Sequence, residues 1–463
     1  MIETKNFDEN KDEAKEELER NNGENLEAKT DAEFKQAGNI DISEVQVEDI
    51  SRSKIGYKDI LKEKEFMKVV VGEIISRFGD SIDMIAYGWM VFQLTGSAAL
   101  LAVLFAVNGI PSLIFSMISG VVVTYMEKKK VVYICDFGRG ITVLLTAVLY
   151  ITGNIAVWHL FVFTFINSTF EAFRAPASGP LFTQLISKEK YDYALSASST
   201  ARTFAELIGF SVAGALIGTI GIGAVIVIDA ITFFASGLIT MTLKLEKEML
   251  SKTKLTIGKY FSELKGGFLY VYKSKLILSI CLFAGGFNLF IIPFNALQPA
   301  YVKQILNRGP EAMSILAVSF MFAMLIGGII APIIKAKVSG KKMFILGGFL
   351  IGIGYFMFSQ LGAVNESKYI LLYIIPPSVI MGIAVPFFSL PVRSALMSKI
   401  EPEYLPRAIA MINALALSTI PVGGALVGAL VLLVPLKDIF VIFSVAILLL
   451  FISQIFNKSL REL

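Results

Sequence analysis

From about Val69 onward the chain is a succession of apolar runs of 20 or more residues, broken by short polar interruptions. A run of that length spans a hydrocarbon core about 30 Å thick when helical, because each residue rises about 1.5 Å. Twelve transmembrane helices are expected. Six fall near residues 68–94, 97–125, 131–152, 156–186, 193–219 and 223–244, and six near 276–303, 311–335, 342–362, 369–398, 405–434 and 437–457. Two polar stretches stand apart. Residues 1–65 are rich in Glu, Lys and Asn, with too few large apolar side chains to offset ordering entropy, and read as a disordered acidic cytosolic tail. Residues 246–275 form a lysine-rich linker in which Ile257, Phe261, Leu264 and Phe268 recur at helical spacing, the pattern of an amphipathic helix lying on a membrane surface. The expected organisation is therefore tail (1–65), six-helix bundle (66–245), linker (246–275) and second six-helix bundle (276–463).

Composition agrees with a bilayer protein. Hydrophobic residues make up 55% of the chain and charged residues 17%, with a mean hydropathy of +0.68; a soluble domain carries nearer a quarter charged residues. The formal charge of +4 is a difference between unlike regions. The first 50 residues hold 16 acids and 6 bases, and the rest of the chain has a surplus of 14 bases, so the balance does not point to nucleic acid. The loops on one side of the expected spans, with the C-terminus and adjoining helix ends, hold about 22 bases; the opposite loops hold Lys303, Arg308, Lys368 and Lys437. That asymmetry places both termini in the cytoplasm of a cell-membrane protein, which an even number of spans allows. No secretory signal peptide precedes the first span. Cys135 and Cys281 lie in apolar runs and suggest neither a disulfide framework nor a metal site. The single histidine, His159, reads as an interfacial residue.

The halves look related. Pro176 in FRAPASGPL and Pro391 in FSLPVRSAL are 215 residues apart, and Gly209 and Gly424 share that offset. Such spacing marks a transporter built from two parallel six-helix repeats. Gly258-Lys259 and Gly340-Lys341 lack the flanking residues of a phosphate-binding loop, and no Ser-His-Asp, HExxH or CxxC constellation occurs. Neither ATP hydrolysis nor an enzyme activity has a motif to rest on.

The chemistry lies in charges within the spans, which are costly in lipid and functional by default. At 100° per residue Glu73, Arg77, Asp80 and Asp83 share an arc of about 120° on the first helix, extended by Tyr87. Asp80 and Asp83 sit roughly 18–22 Å into the span, near mid-membrane. Glu73–Arg77, Asp136–Arg139, Glu171–Arg174 and Arg202–Glu206 have the spacing of helical ion pairs. With Asp229, the N-terminal half holds seven such acids against four bases. An unpaired carboxylate in low dielectric binds either a proton or an organic cation, and competition between them is a physical basis for antiport. Asp80, Asp83, Glu171 and Glu206 are the expected proton- or cation-binding residues, and Tyr87, Arg174 and Arg202 are expected to line the substrate cavity. The C-terminal half lacks buried acids. Its first helix offers Asn288, Asn295 and Gln298 amid Phe287, Phe290 and Phe294, which suits a cavity wall reading an amphipathic substrate by ring faces and a few hydrogen bonds.

These segments resemble the major facilitator superfamily, and within it the macrolide-efflux-like branch that also includes siderophore exporters. The matches are GDSIDMIAYGWMVFQLTGSA, CDFGRG, FRAPASGPL, VIDAITFF and EPEYLPRAIAMINAL, in that order across residues 68–457. The resemblance implies a two-bundle fold and a gating region containing Gly120, Lys128, Lys129, Lys130, Asp136, Arg139 and Arg407. Thr124 stands where the family's loop has Asp, Gly209 is followed by Phe210 rather than proline, and Pro406 precedes Arg407 in place of Gly. The expectation is a monomeric, proton-coupled exporter of an amphipathic, macrolide- or drug-like molecule, with no cofactor beyond the ion gradient. A dedicated exporter of a metabolite, siderophore or peptide is the alternative; a non-transporting immunity or sensor protein is the third.

Overall fold

The structure, a computed structural model, describes residues 57–245, 275–399 and 405–457. The expected tail up to residue 56 and nearly all of the linker lie outside the described residues, as do the side chains of Phe287 and Arg407. Among the described residues are twelve helices of 20 or more residues and no strand. They are α1 (Lys64–Thr95), α2 (Ala98–Thr124), α3 (Lys128–Ile151), α4 (Val157–Thr183), α5 (Tyr191–Ile220) and α6 (Ile222–Met241), then α7 (Lys275–Gln304), α8 (Pro310–Lys335), α9 (Gly340–Gln360), α10 (Ile375–Lys399), α11 (Leu405–Leu433) and α12 (Leu436–Phe456).

Local chemistry sets the boundaries. Gly96, at φ 61°, ends α1 in the left-handed conformation, with its N–H on Phe92 O, and Ser97 opens α2 by accepting from the Leu100 N–H at 3.2 Å. Pro310 begins α8, where its missing N–H costs nothing. One expected span, 369–398, is divided: Ile370–Tyr373 is a separate helical turn and α10 begins at Ile375. Pro376 and Pro377 follow at once, and residues without an N–H belong in a first turn rather than mid-helix. At the amino end, a helical turn at Tyr57–Ile60 precedes α1; Ile60 is buried with Phe66, Ile186 and Ala194, and Glu63 bridges Lys190 at 2.6 Å. Folded structure thus starts upstream of residue 66.

Among the described residues, nine helical segments are long and apolar enough to cross a membrane. Two long helices whose side chains are all described fall outside that set, α1 and α4, and they carry charged and polar side chains described below. Within the first half α1 packs on α5 and α6, α3 on α4 and α6, and α2 on α4; in the second, α10 packs on α8 and α9, α9 on α12, and α7 on α11. The halves meet where α2 packs on α11 and α5 on α8. Small residues permit both contacts. A Cβ at Gly424 would lie 2.8 Å from the Ala106 nitrogen and 2.9 Å from the Ala102 oxygen, and the Gly214 N–H donates to Ser314 Oγ at 2.8 Å. Alternate helices run in opposite directions, so both contacts fall at the end of the bundle away from the two termini.

Candidate functional site

Asp80 and Asp83 are carried on the inner face of α1, as the helical arc requires, and open on a cavity of about 340 Å³. Both halves build its wall: Tyr87 and Met84 from α1, Asn108 from α2, Thr142 and Thr146 from α3, Thr164 and Asn167 from α4, and Asn295 and Gln298 from α7. Apolar surface comes from Phe105, Phe163, Ile226, Met313 and their neighbours. Among the described residues the two aspartates are its charged lining residues, and no Lys, Arg or His lines it.

The aspartates differ in surroundings. Asp80 accepts from Arg139 Nη2 at 2.8 Å and lies 3.6 Å from Arg77 Nη1. Asp83 Oδ1 is shielded from solvent and has no hydrogen-bond partner among the described residues. Tyr87, one turn further, bonds Thr164 at 2.7 Å and donates to the Leu160 carbonyl at 3.1 Å, which ties α1 to α4.

Below the cavity the charges form a network between helices rather than along them. Arg139 of α3 donates to Asp80 on α1 and to Glu171 on α4, each at 2.8 Å, and to Asn167 at 3.1 Å. Its guanidinium also lies 4.1 Å from the centre of the Phe233 ring. Arg174 donates to Asp136 at 2.5 Å, and Ser236 donates to the other carboxylate oxygen at 2.9 Å. Arg202 faces Glu73 at 3.9 Å, and Ser198 donates to Glu73 at 2.7 Å. Of the helical pairs expected from spacing, none is formed; Arg77–Asp80 is the intrahelical pair on α1. A guanidinium inside a bundle reaches the neighbouring helix, where the partner is already desolvated and bidentate geometry is available.

The structure brings Asp80, Asp83, Tyr87, Asn295 and Gln298 to one cavity. Glu171, Arg174, Asp136 and Arg139 are placed in the network beneath it, so Asp136 and Arg139 join helices inside the first half rather than lying in a loop. Arg202 and Glu206 sit nearer the termini, where Arg77, Glu171 and Arg202 remain about a third exposed (34, 35 and 35%). Asn288 is half-buried and does not line the cavity. The expected aromatic wall is corrected: Phe294 packs on Phe320 and Phe358, and Phe290 on Phe443, inside the second half. Their ring surface is satisfied by neighbouring helices, and Asn295 and Gln298 are the amides of α7 that line the cavity. In the gating region Gly120 is exposed, Lys128 and Lys129 cap the carbonyls of Thr124 and Leu243, and Lys130 pairs with Glu127.

Uncharged cavity residues escaped a reading that ranked charges first. Thr142 and Thr146 follow Arg139 at helical spacing, Thr164 and Asn167 precede Glu171 on one face, and Asn108 lies in an otherwise apolar run. Continuing each charged face by three or four residues would have found most of them.

Long helices from both halves of the chain around a central cavity, together with the family match, define a multi-pass membrane transporter of the major facilitator type, not an enzyme. The chain belongs to the transmembrane secretion effector family of that superfamily, whose model matches residues 59–462. It is 26% identical over 317 residues to the MFS-type transporter YkuC of Bacillus subtilis, covering 65% of this chain and 71% of that one. Macrolide efflux protein A of Streptococcus pyogenes is 22% identical over 359 residues, covering 78% and 87%. In structure it is similar to the nucleoside transporter NupG, with a TM-score of 0.70 at 14% identity over 85% of this chain and 100% of that one. A bacterial homologue of ferroportin, in an inward-facing state, gives 0.67 at 13% identity over 86% and 98%.

Proposed function

We propose that the protein exports an amphipathic, positively charged small molecule in exchange for protons, by alternating access of the central cavity. The observation that carries this reading is a cavity built from both halves whose charged lining groups, among the described residues, are carboxylates. An organic cation and a proton compete for such a site, and the amides and hydroxyls around it satisfy the polar edges of a largely apolar guest. Relatives named for macrolide efflux support the direction and substrate class. On this reading all twelve long helices cross the bilayer; α1 and α4 are less apolar than the others because their polar faces line water and substrate. With the lysine-rich loops and the termini on the cytoplasmic side, contact between the halves at the far end of the bundle suits an inward-facing arrangement.

Dedicated export of a metabolite is a second reading, favoured by the cavity's size: about 340 Å³ is near the lower limit of small-molecule sites and suits a small guest. Cells expressing the protein and loaded with a panel of lipophilic cationic dyes and macrolides are expected to export at least one of them in an uncoupler-sensitive manner. Silence across the panel would favour the metabolite exporter; export indifferent to the uncoupler would overturn the coupling.

A further inference from the structure

In a regular helix the Phe294 N–H of α7 would pair with the Phe290 carbonyl, four residues back. Here the hydroxyl of Tyr355, reaching across from α9, engages both groups. It accepts from the Phe294 N–H at 3.3 Å and donates to the Phe290 oxygen at 2.5 Å. Pro293 lies in the same turn and has no N–H to give the Leu289 carbonyl. Two successive rungs of α7 are therefore altered, one by a proline and one by a side chain from a neighbouring helix, and each is an ordinary cause of a bend. Tyr355 is fully buried, and in a membrane a neighbouring polar side chain is what satisfies backbone groups beside a proline.

The segment beyond these rungs is held on α9 and α12. Phe294 packs on Phe358 of α9 with ring centres 5.4 Å apart, Tyr301 donates to the Phe358 carbonyl at 2.6 Å, and the Tyr301 ring lies 4.7 Å from that of Phe440 on α12. Between the anchors come Asn295, directly after the altered rung, and Gln298, three residues on; both line the central cavity, and Tyr355 does not. Pro299 of the same segment faces α1, where a Cβ at Gly88 would come within 3.2 Å of its ring.

We propose that residues 290–294 form a hinge in α7 and that Tyr355 is its positioning residue, aiming the Asn295 and Gln298 amides into the cavity from outside it. The hydroxyl occupies the rung, and the amides beyond take the direction that this sets. Removing it returns the Phe294 N–H to the Phe290 carbonyl, straightens the turn and rotates the amides with it. What the amides do for a guest rests on the transport reading; the hinge does not.

The test is thiol labelling of the purified full-length protein in lipid nanodiscs by a water-soluble methanethiosulfonate reagent. It uses a Cys281→Ser background, with the buried Cys135 left in place. Asn295→Cys reports on the α7 wall, and Asn108→Cys, on α2 in the same cavity, is the control. Adding Tyr355→Phe, which keeps the ring and loses the hydroxyl, should change the labelling rate of Asn295→Cys at least about threefold, the scale of coupling within one hydrogen-bond network. The rate of Asn108→Cys should not change. Pro293→Ala restores the missing N–H and should shift the Asn295→Cys rate in the same sense, which gives an answer even where Tyr355→Phe fails to fold. A rate at Asn295→Cys unmoved by these substitutions would overturn the hinge, and so would equal changes at both positions, the mark of a general loosening. In cells, Tyr355→Phe should raise the half-saturating concentration of an exported cationic dye by a similar factor at unchanged maximal rate. Absence of any dye export with the labelling change intact would count against the transport reading instead.

Discussion

Arg139→Leu is expected to destabilise the first helical bundle by about 3–5 kcal/mol, the cost of removing one partner from a buried ion pair. Arg139 is 8% exposed and joins three helices, because its nitrogens bond Asp80 on α1 and Glu171 and Asn167 on α4 while its guanidinium covers Phe233 on α6. Leucine matches the side chain's apolar length but leaves two carboxylates facing each other without the cation. The protein should show a lower melting transition in detergent, measured by tryptophan fluorescence or by a thiol-reactive dye on Cys135, which is buried. Arg139→Lys should recover little of the loss, since an ammonium does not serve two carboxylates and an amide with a planar fork. An unchanged melting temperature in both variants would show that the network is not what holds α1, α3 and α4 together.

Asp83→Asn is expected to separate coupling from folding. Asparagine keeps the shape of the side chain, and Asp83 Oδ1 has no hydrogen bond among the described residues to lose. The variant should therefore reach the membrane at wild-type levels and melt normally, while proton-driven efflux falls at least about tenfold, equivalent to about 1.4 kcal/mol. Asp80→Asn should lose coupled transport and stability together, because it also strips a carboxylate from Arg139 and Arg77. Uncoupler-sensitive efflux of wild-type magnitude in Asp83→Asn would remove that residue from the proton path. Equal melting temperatures for the two variants would remove the distinction drawn between the aspartates.

The helices and their order were legible because a span announces itself by length and apolarity, and ends such as Gly96-Ser97 are written in local chemistry. The acidic face of α1 was legible for a similar reason: four charges within eleven residues fall on one arc whatever the tertiary structure. The ion pairs were not. Spacing identifies which residues of a single helix are neighbours, and says nothing of Arg174 finding Asp136 across 38 positions or Arg139 finding Asp80 across 59. Phe290 and Phe294 were assigned to the cavity because aromatic residues beside amides suit a binding wall, yet α7 turns its rings into the second half and its amides outward. Which face of a mixed helix meets the cavity depends on the whole bundle. Asp229 shows the same limit, since its carboxylate rests where a Cβ at Gly79, 150 positions earlier in the chain, would overlap it.

The most direct test of the account is transport by the purified protein in sealed liposomes loaded with a lipophilic cationic dye, with a pH difference imposed across the membrane. Proton-coupled exchange predicts dye movement against its own gradient in the direction opposite to the proton flow, abolished by an uncoupler and absent with Asp83→Asn. Dye movement of equal rate with and without the pH difference would contradict it.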